Sequence, residues 1–563
     1  MDDTNPDNSP NLTKQTSVAR SAGIVSIAVM FSRVLGLIRE QVFAYYFGAG
    51  FLNDAFQVAF RIPNVLRDLF AEGALSAAFV KVFTDYQINK SEKEAWRLAG
   101  LVLNALAVIL SLIVIIGIVF SEQFVGLIAS GFSPEKAALA TSLTRIMFPF
   151  ILLVALAAVA MGVLNTKGVF GIPASASTVF NITSILFGLG IAYSLSGGGW
   201  VVPKDPRILP DIGAQWAITG MAFGTLIGGA SQFLMQVPSL LKVGFRFSPK
   251  ISFSDPGVKK VMAMMAPAIL GTSAVQINVL VNTFFVSGID GGISWLGYSF
   301  RLMQFPIGLF GVAVGTASVP VLSRLASSGK LGEFRDTLSE SLGLVFFMTL
   351  PSALGLIALG EPIIRLLYSH GGDFKESDVP MTAWALTGYA VGLTGYAAIK
   401  VLSPAFYALD DAKTPMIIAV ASIAVNALAS FAFMGLMGGV VSENYPGGLG
   451  HVGVALATSS VALVNFLALA LLMRKRIGGL NGGLILDSFL RILVASVAMA
   501  GVSWVTYRQM HGTFNGEGTL SKLIEAFIPI LVGGGVFLVF ARLLKIREAE
   551  RISSLLSRKL RRN

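Results

Sequence analysis

Five arginines, Arg33, Arg39, Arg61, Arg67 and Arg301, fall inside stretches that are otherwise apolar. A guanidinium carried to the middle of a bilayer costs about 2.5 to 3.5 kcal/mol on insertion scales, so each of these must face water or a partner. Arg33 and Arg39 lie six residues apart, about 9 Å along a helix, with Gly36 between them to loosen it. Arg61 and Arg67 bracket Pro63. Glu40, Asp54, Asp68 and Glu72 are close enough in sequence to pair with the first four, and the rival reading is internal ion pairs of that kind, or side chains snorkelling to an interface. Arg301 has no acidic residue within ten positions. Such an arginine suits a ligand that brings its own negative charge. The planar guanidinium fork binds phosphate oxygens two at a time, which makes a pyrophosphate group in a low-dielectric chamber the fitting ligand.

Other chemistries find little support. The chain has no cysteine, which excludes disulfides, thiolate metal sites and cysteine nucleophiles. Its three histidines, His370, His451 and His511, sit in polar, Gly-rich or charged stretches between apolar runs, and each is expected in a loop. A membrane-embedded glycosyltransferase or phosphatase would need an acid cluster for a metal, or a nucleophile with its base, and neither pattern is present. No enzyme is expected, and no catalytic or metal-binding residue is assigned.

The elements that position these arginines are membrane helices. The 563 residues are 54% hydrophobic and 13% charged, with a mean hydropathy of +0.74, against about 25% charged for soluble proteins. Windows of about 20 apolar residues, the length of a spanning helix, recur over 17–46, 54–86, 98–120, 138–164, 173–195, 214–240, 258–288, 292–322, 337–360, 378–408, 414–438, 450–473, 486–508 and 523–543. With the N-terminus placed in the cytoplasm, 27 of the 42 basic residues fall in cytoplasmic segments and 7 in the opposite loops, as the positive-inside rule requires. Both termini are then cytoplasmic. The net charge of +11 reflects this topology and the basic tail RKLRRN, which rests on anionic headgroups; it gives no reason to invoke nucleic acid. The polar N-terminal dozen residues read as a disordered tail and not as a cleaved signal.

The chain also repeats itself at about 230 to 240 residues. AFRIPNVLRDLFAEGALSAAFV pairs with SFRLMQFPIGLFGVAVGTASVP, the segment Gly220–Thr225 with Gly453–Thr458, and LNTKGVFGIP with LDDAKTP, in the same order. Six spans per copy relate the copies by an axis along the membrane normal. The expected architecture is an all-α polytopic membrane protein of about 14 transmembrane helices: a disordered tail (1–16), an N-lobe (17–245), a C-lobe (246–480), two C-terminal helices (481–545) and a basic tail (546–563). Transporters of this design bind substrate near the midplane between lobes that rock.

Residues 32–80, SRVLGLIREQVFAYYFGAGFLNDAFQVAFRIPNVLRDLFAEGALSAAFV, resemble the MurJ (MviN) family of lipid II flippases, and YSFRLMQFPIGLFGVAVGTASVPVLS and KVLSPAFYALDDAKTP fit the same family. The resemblance covers nearly the whole chain. It implies the multidrug/oligosaccharidyl-lipid/polysaccharide exporter fold and a monomeric flippase that moves an undecaprenyl-pyrophosphate-linked peptidoglycan precursor outward across the bacterial inner membrane, in cell-wall biogenesis and cell shape. It places Arg33, Arg39, Arg67 and Arg301 as substrate-binding cavity arginines, and Ala44, Asp54, Asn64, Glu72 and Ser294 as gating or cavity positions. It further implies that helices 13 and 14 form a groove for the polyprenyl tail. Two positions depart from the family: Gln304 and Phe300 stand where members often carry acids, so no neighbouring acid tunes Arg301. No cofactor is implied; coupling to membrane potential, sodium or protons is open, and Asp410 and Asp411 are either contributors to a sodium site or parts of a solvated turn. The alternative is an exporter of another polyprenyl-linked oligosaccharide, or a drug exporter of the same superfamily.

Overall fold

The computed structural model describes residues 9–70, 74–203, 209–438, 448–513 and 518–551, and every regular element among them is a helix. The chain divides into two compact units. One comprises residues up to Phe47 and Phe51–Gln276; the other comprises Gly48–Gly50 and the residues from Ile277 on.

The first unit holds α1 (Ser9–Phe47), α2 (Phe51–Phe70), α3 (Ala74–Asn89), α4 (Glu92–Val119), α5 (Ser121–Ile128), α6 (Pro134–Met147), α7 (Phe150–Thr166), α8 (Gly171–Leu195), α9 (Ile212–Leu234), α10 (Val237–Lys242) and most of α11 (Pro256–Val286). The second continues with α12 (Gly292–Pro306), a π-helical turn (Ile307–Val312), α13 (Ala313–Ser327), α14 (Leu331–Tyr368), α15 (Asp378–Ala390), α16 (Leu393–Ala408), α17 (Lys413–Gly438), α18 (Gly450–Arg476), α19 (Gly482–Thr513) and α20 (Thr519–Leu543). Helix starts follow local chemistry. Ser91, in the sequence Ser-Glu-Lys-Glu, accepts the Glu94 N–H, and Asp211 accepts that of Ala214 at 2.7 Å, each satisfying a donor that the first turn leaves open.

Ten helices among the described residues are long and apolar enough to cross a bilayer, or eleven if the bent pair α15–α16 is one span. The other expected spans fall on α1, on α2 with α3, and on α11. Residues 71–73, between α2 and α3, lie outside the described residues, and with them Glu72, one of the expected gating positions.

Three expectations change. α1 begins at Ser9, so residues 9–16, expected in the disordered tail, are helical. The division between units falls inside α11, well past the expected 245, because the segment before it is strapped to the first unit: Asn104 donates to the carbonyls of Ser248 and Lys250, and Lys260 pairs with Asp85 at 2.9 Å. The C-terminal helices form no body of their own. Ile492 and Ala495 of α19 and Phe537 and Ala541 of α20 are buried in one core with Leu342, Val345 and Phe346 of α14. Of the expected basic tail, 552–563 lies outside the described residues.

Each unit is sewn by small residues and by the same hydrogen bonds. On α9, Gly220, Gly224 and Gly228 recur every four residues, so they share one face. A Cβ at Gly224 would overlap Gly188 of α8, and one at Gly220 would overlap Ala192. On α18, a Cβ at Gly453 would overlap the Phe433 carbonyl of α17. Without a water-driven force between helices in lipid, such close backbone approach is what holds a seam. Thr225 and Thr458 each bond the carbonyl one turn back at 3.0 Å. Asn181 of α8 donates to the Ser32 carbonyl of α1 at 3.2 Å, and Asn426 of α17 donates to the Asn278 carbonyl of α11 at 3.3 Å. Gly224→Val is expected to lower stability by about 1 to 3 kcal/mol through overpacking. Gly190→Ala, whose Cβ meets nothing within 4 Å, is expected to leave the melting temperature of the detergent-solubilised protein unchanged.

Candidate functional site

Arg39 lies on α1 with its side chain 14% exposed. Its guanidinium carbon sits 5.9 Å from the ring centre of Phe60 on α2 and 5.4 Å from that of Phe180 on α8. Both rings pack on Phe150, at 5.6 Å each. Space for these rings comes from α9: a Cβ at Gly228 would press on Phe180, and one at Gly229 on Phe150. The glycines thus do two jobs, closing the seam and seating the rings. These ring contacts stabilise the Arg39 charge through the ring quadrupoles. Its carboxylate neighbour is Glu40, at 3.3 Å.

Arg33, one turn and a half earlier on α1, is exposed. The peptide just before it is fixed by the Asn181 bond to the Ser32 carbonyl, and a Cβ at Gly36 would lie 3.9 Å from the same Asn181 side chain. Arg67, on the last turn of α2, donates through Nε and Nη2 to Asp68 Oδ1 at 3.0 and 2.6 Å. The expected cavity residue Asn64 donates to Asp68 Oδ2 at 3.5 Å. Arg61 is half-buried on the same helix. In the second unit Arg301 is exposed on α12, five residues ahead of Pro306 and the π-turn. A π-turn widens the helix locally and is frequent at functional sites. Phe300 packs on Tyr389 at 5.4 Å, and Gln304 is exposed.

The structure therefore brings Arg39 and Arg67 each beside a carboxylate, as the ion-pair reading expected, and leaves all four side chains partly exposed. Arg33, Arg39 and Arg67 belong to the first unit and Arg301 to the second.

The other expected positions divide differently. Ala44 and Ser294 are fully buried. Asp54 is also fully buried, and it pairs with Lys136 of α6 at 2.9 Å, the two side chains being 0% and 2% exposed. Phe132 lies 4.7 Å from the ammonium and Phe51 5.9 Å. Lys136 lies between two expected spans and so reads as a loop charge; the signal that could have found it is the acid Asp54 embedded in an apolar helix, although Arg61 offers that acid a nearer partner in sequence. In the second unit the corresponding first turn of α15 is tied to α12 by a different pair, the Trp295 indole donating to Asp378 at 2.9 Å.

The histidines correct another expectation. His370 is in a loop, but His451 is wholly buried in α18, its Nε2 3.0 Å from the Met381 carbonyl and its ring 4.9 Å from Trp295. His511 lies in the last turn of α19, 3.1 Å from Glu525. Flanking glycines made these stretches look like loops, while ring stacking and a carboxylate partner hold them in helices. Asp411 caps α17, accepting from the Thr414 N–H at 3.0 Å and its hydroxyl at 2.8 Å, with Arg476 3.0 Å away. The Thr414 backbone and side-chain donors hold its carboxyl below the usual range, with Arg476 adding to the effect. That is turn chemistry. Among the described residues no group of three His, Asp or Glu side chains is placed to hold a metal ion.

Breaking a buried ion pair strands a charge and costs about 3 to 5 kcal/mol, whereas replacing both partners by apolar groups is near neutral. Lys136→Met alone is therefore expected to lower the melting temperature sharply, and Asp54→Leu with Lys136→Met to recover most of the loss.

The sequence profile of the lipid II flippase MurJ family matches residues 43–519. A lipid II flippase MurJ of Burkholderia cenocepacia is 36% identical over 459 residues, 80% of this chain and 83% of that one. A probable lipid II flippase MurJ of Vibrio cholerae is 35% identical over 508 residues, 87% and 88% of the two chains. A solved structure described as lipid II flippase MurJ in an inward closed conformation superposes with a TM-score of 0.72 at 30% identity, covering 92% of this chain and 98% of that one. An inward-facing multidrug resistance MATE family transporter superposes with a TM-score of 0.59 at 15% identity, over 79% of this chain and 99% of that one, and shares the fold alone.

Proposed function

The chain belongs to the MurJ family of lipid II flippases; from that premise we propose that it carries lipid II, a polyprenyl-pyrophosphate-linked peptidoglycan precursor, from the inner to the outer leaflet of the bacterial inner membrane by alternating access. It is a multi-pass membrane transporter and not an enzyme. The observation that carries the reading is Arg39, a guanidinium set into an apolar bundle against two aromatic rings and only partly buried.

In this reading Arg33, Arg39, Arg67 and Arg301 receive the diphosphate, whose oxygens accept paired guanidinium donors. Ala44, Asp54, Asn64, Glu72 and Ser294 serve the closing and opening of the site, and α19 and α20 give the polyprenyl tail its groove. The protein works as a monomer with both termini in the cytoplasm. Neutralising the arginines favours closure around the head group, and release on the outer side leaves an empty, positively charged site. The membrane potential then drives that site back inward, at about 2.3 kcal/mol per charge per 100 mV across the full field; sodium or proton coupling is the competing source of drive. A drug exporter taking cations would want acids where this chain has arginines.

Two experiments test this. In a bacterium depleted of its own flippase, the wild-type chain is expected to restore growth, and Arg39→Ala and Arg301→Ala are not. Rescue by both variants would remove the arginines' role, and no rescue by wild type would remove the substrate. In vesicles with an imposed potential, lipid II flipping is expected to accelerate with an inside-negative potential; rates indifferent to potential would eliminate the reset step.

A further inference from the structure

We propose that Asp68 is the resident counterion of Arg67 in the unloaded site, that the diphosphate displaces it, and that this displacement loosens the tie Asp68 makes to α11 through Gln276. The proposal rests on the preceding reading that Arg67 binds the head group.

Asp68 is the hub of four hydrogen bonds. Oδ1 accepts both Nε and Nη2 of Arg67, at 3.0 and 2.6 Å. Oδ2 accepts Gln276 Nε2 at 3.0 Å and Asn64 Nδ2 at 3.5 Å. Two donors of the guanidinium fork therefore converge on a single oxygen. The fork is built for two oxygens side by side, an arrangement that a diphosphate offers and this carboxylate, with its second oxygen committed elsewhere, does not.

Three features make the pair displaceable. Arg67 and Asp68 are adjacent in sequence, and adjacent positions on a helix do not face each other, so the contact is made off-face. Their side chains are 23% and 20% exposed, so protein does not close the pair off. Pro63 stands four residues before Arg67 and lacks the N–H that would tie this part of α2 to the preceding turn. The Asp54–Lys136 pair on the same helix is the contrast: with both side chains sealed from water, no anion from solution can compete for the ammonium.

The second partner gives the displacement a route outward. Gln276 lies within α11, the last residue that packs with the first unit. Two residues on, the same helix is bonded into the second unit, Asn278 donating to Ser422 at 3.1 Å and Asn282 to Thr458 at 2.8 Å. A carboxylate that lets go of Arg67 is free to leave Gln276 as well, which unpins α2 from α11 when the head group arrives.

The test uses the purified full chain in lipid nanodiscs for binding and in vesicles for flipping. Inorganic pyrophosphate and undecaprenyl pyrophosphate are the binding probes, and lipid II is the transport substrate. Asp68→Asn and Asp68→Ser are expected to bind both probes about tenfold tighter than wild type, the order expected when one charge-assisted competitor is removed. Their KM for flipping falls and their kcat falls with it, a split that a merely structural loss does not produce. Asp68→Glu restores wild-type behaviour. In an Arg67→Ala background the gain from Asp68→Asn disappears, which ties the effect to this pair and separates it from a general change of charge. Gln276→Leu keeps head-group affinity within about twofold while lowering the maximal rate several-fold, because the counterion stays and the tie is gone.

Melting temperatures show which variants are folded, and the serine variant stands in if the asparagine one is not. Asparagine and serine variants that bind no tighter than wild type, or a gain that survives in the Arg67→Ala background, would overturn the counterion. Absence of pyrophosphate binding in every variant would overturn it too. Tighter inorganic pyrophosphate binding without any binding of undecaprenyl pyrophosphate would keep the counterion and sink the lipid substrate. Normal lipid II flipping with unchanged affinities would do the reverse.

Discussion

A guanidinium among apolar helices must be supported without being extinguished, and much of the first unit is arranged around that constraint. Full neutralisation by a sealed carboxylate would stabilise the charge and also end its usefulness, because the low dielectric makes such a pair hard to part. Full exposure to lipid is too costly. Arg39 is held between these limits by ring faces, which attract the cation through their quadrupoles. The rings in turn depend on glycines of α9, whose missing side chains make the room. A run of small residues that closes the α8–α9 seam therefore reaches, through Phe150 and Phe180, to the Arg39 charge.

The two charged pairs of α2 show how burial sorts roles that look alike in sequence. Asp54 and Asp68 are both acids in the same amphipathic helix, and both find a cation at 2.6 to 2.9 Å. Around Asp54, Lys136 and the Phe51 and Phe132 rings shut out water, and the pair works as a rivet between α2 and α6. Around Asp68 both partners stay partly exposed, and protein does not seal the pair. Distance alone does not separate the two cases; access does.

Much of this was legible in the residue pattern, for identifiable reasons. Long apolar runs and alternating loop charge dictate helices and their number to within a few, and the Gly220–Thr225 and Gly453–Thr458 match marks a seam that both units do contain. The arginines stand out because charge in an apolar run is costly. What escaped was set by contacts distant in sequence. Lys136 meets Asp54 from 82 positions away and Gln276 meets Asp68 from 208 away, and no local rule names either partner. His451 was misplaced for a related reason: glycines beside it suggest a loop, while Trp295, from another helix, supplies the face that buries it. The division inside α11 was equally hidden, since a helix that is continuous in sequence gives no sign of where its packing changes allegiance.

The repeat sharpens what the arginines mean. Corresponding positions keep the scaffold bonds, with Asn181 and Asn426 each holding the backbone of a helix that opens its copy, so the copies share an inherited frame. They differ in what is hung on it. The first copy ties α2 to α6 with an ion pair, the second ties α12 to α15 with an indole and a carboxylate. Beside the matched Phe-Arg steps, Phe60 faces a guanidinium whereas Phe300 packs on Tyr389.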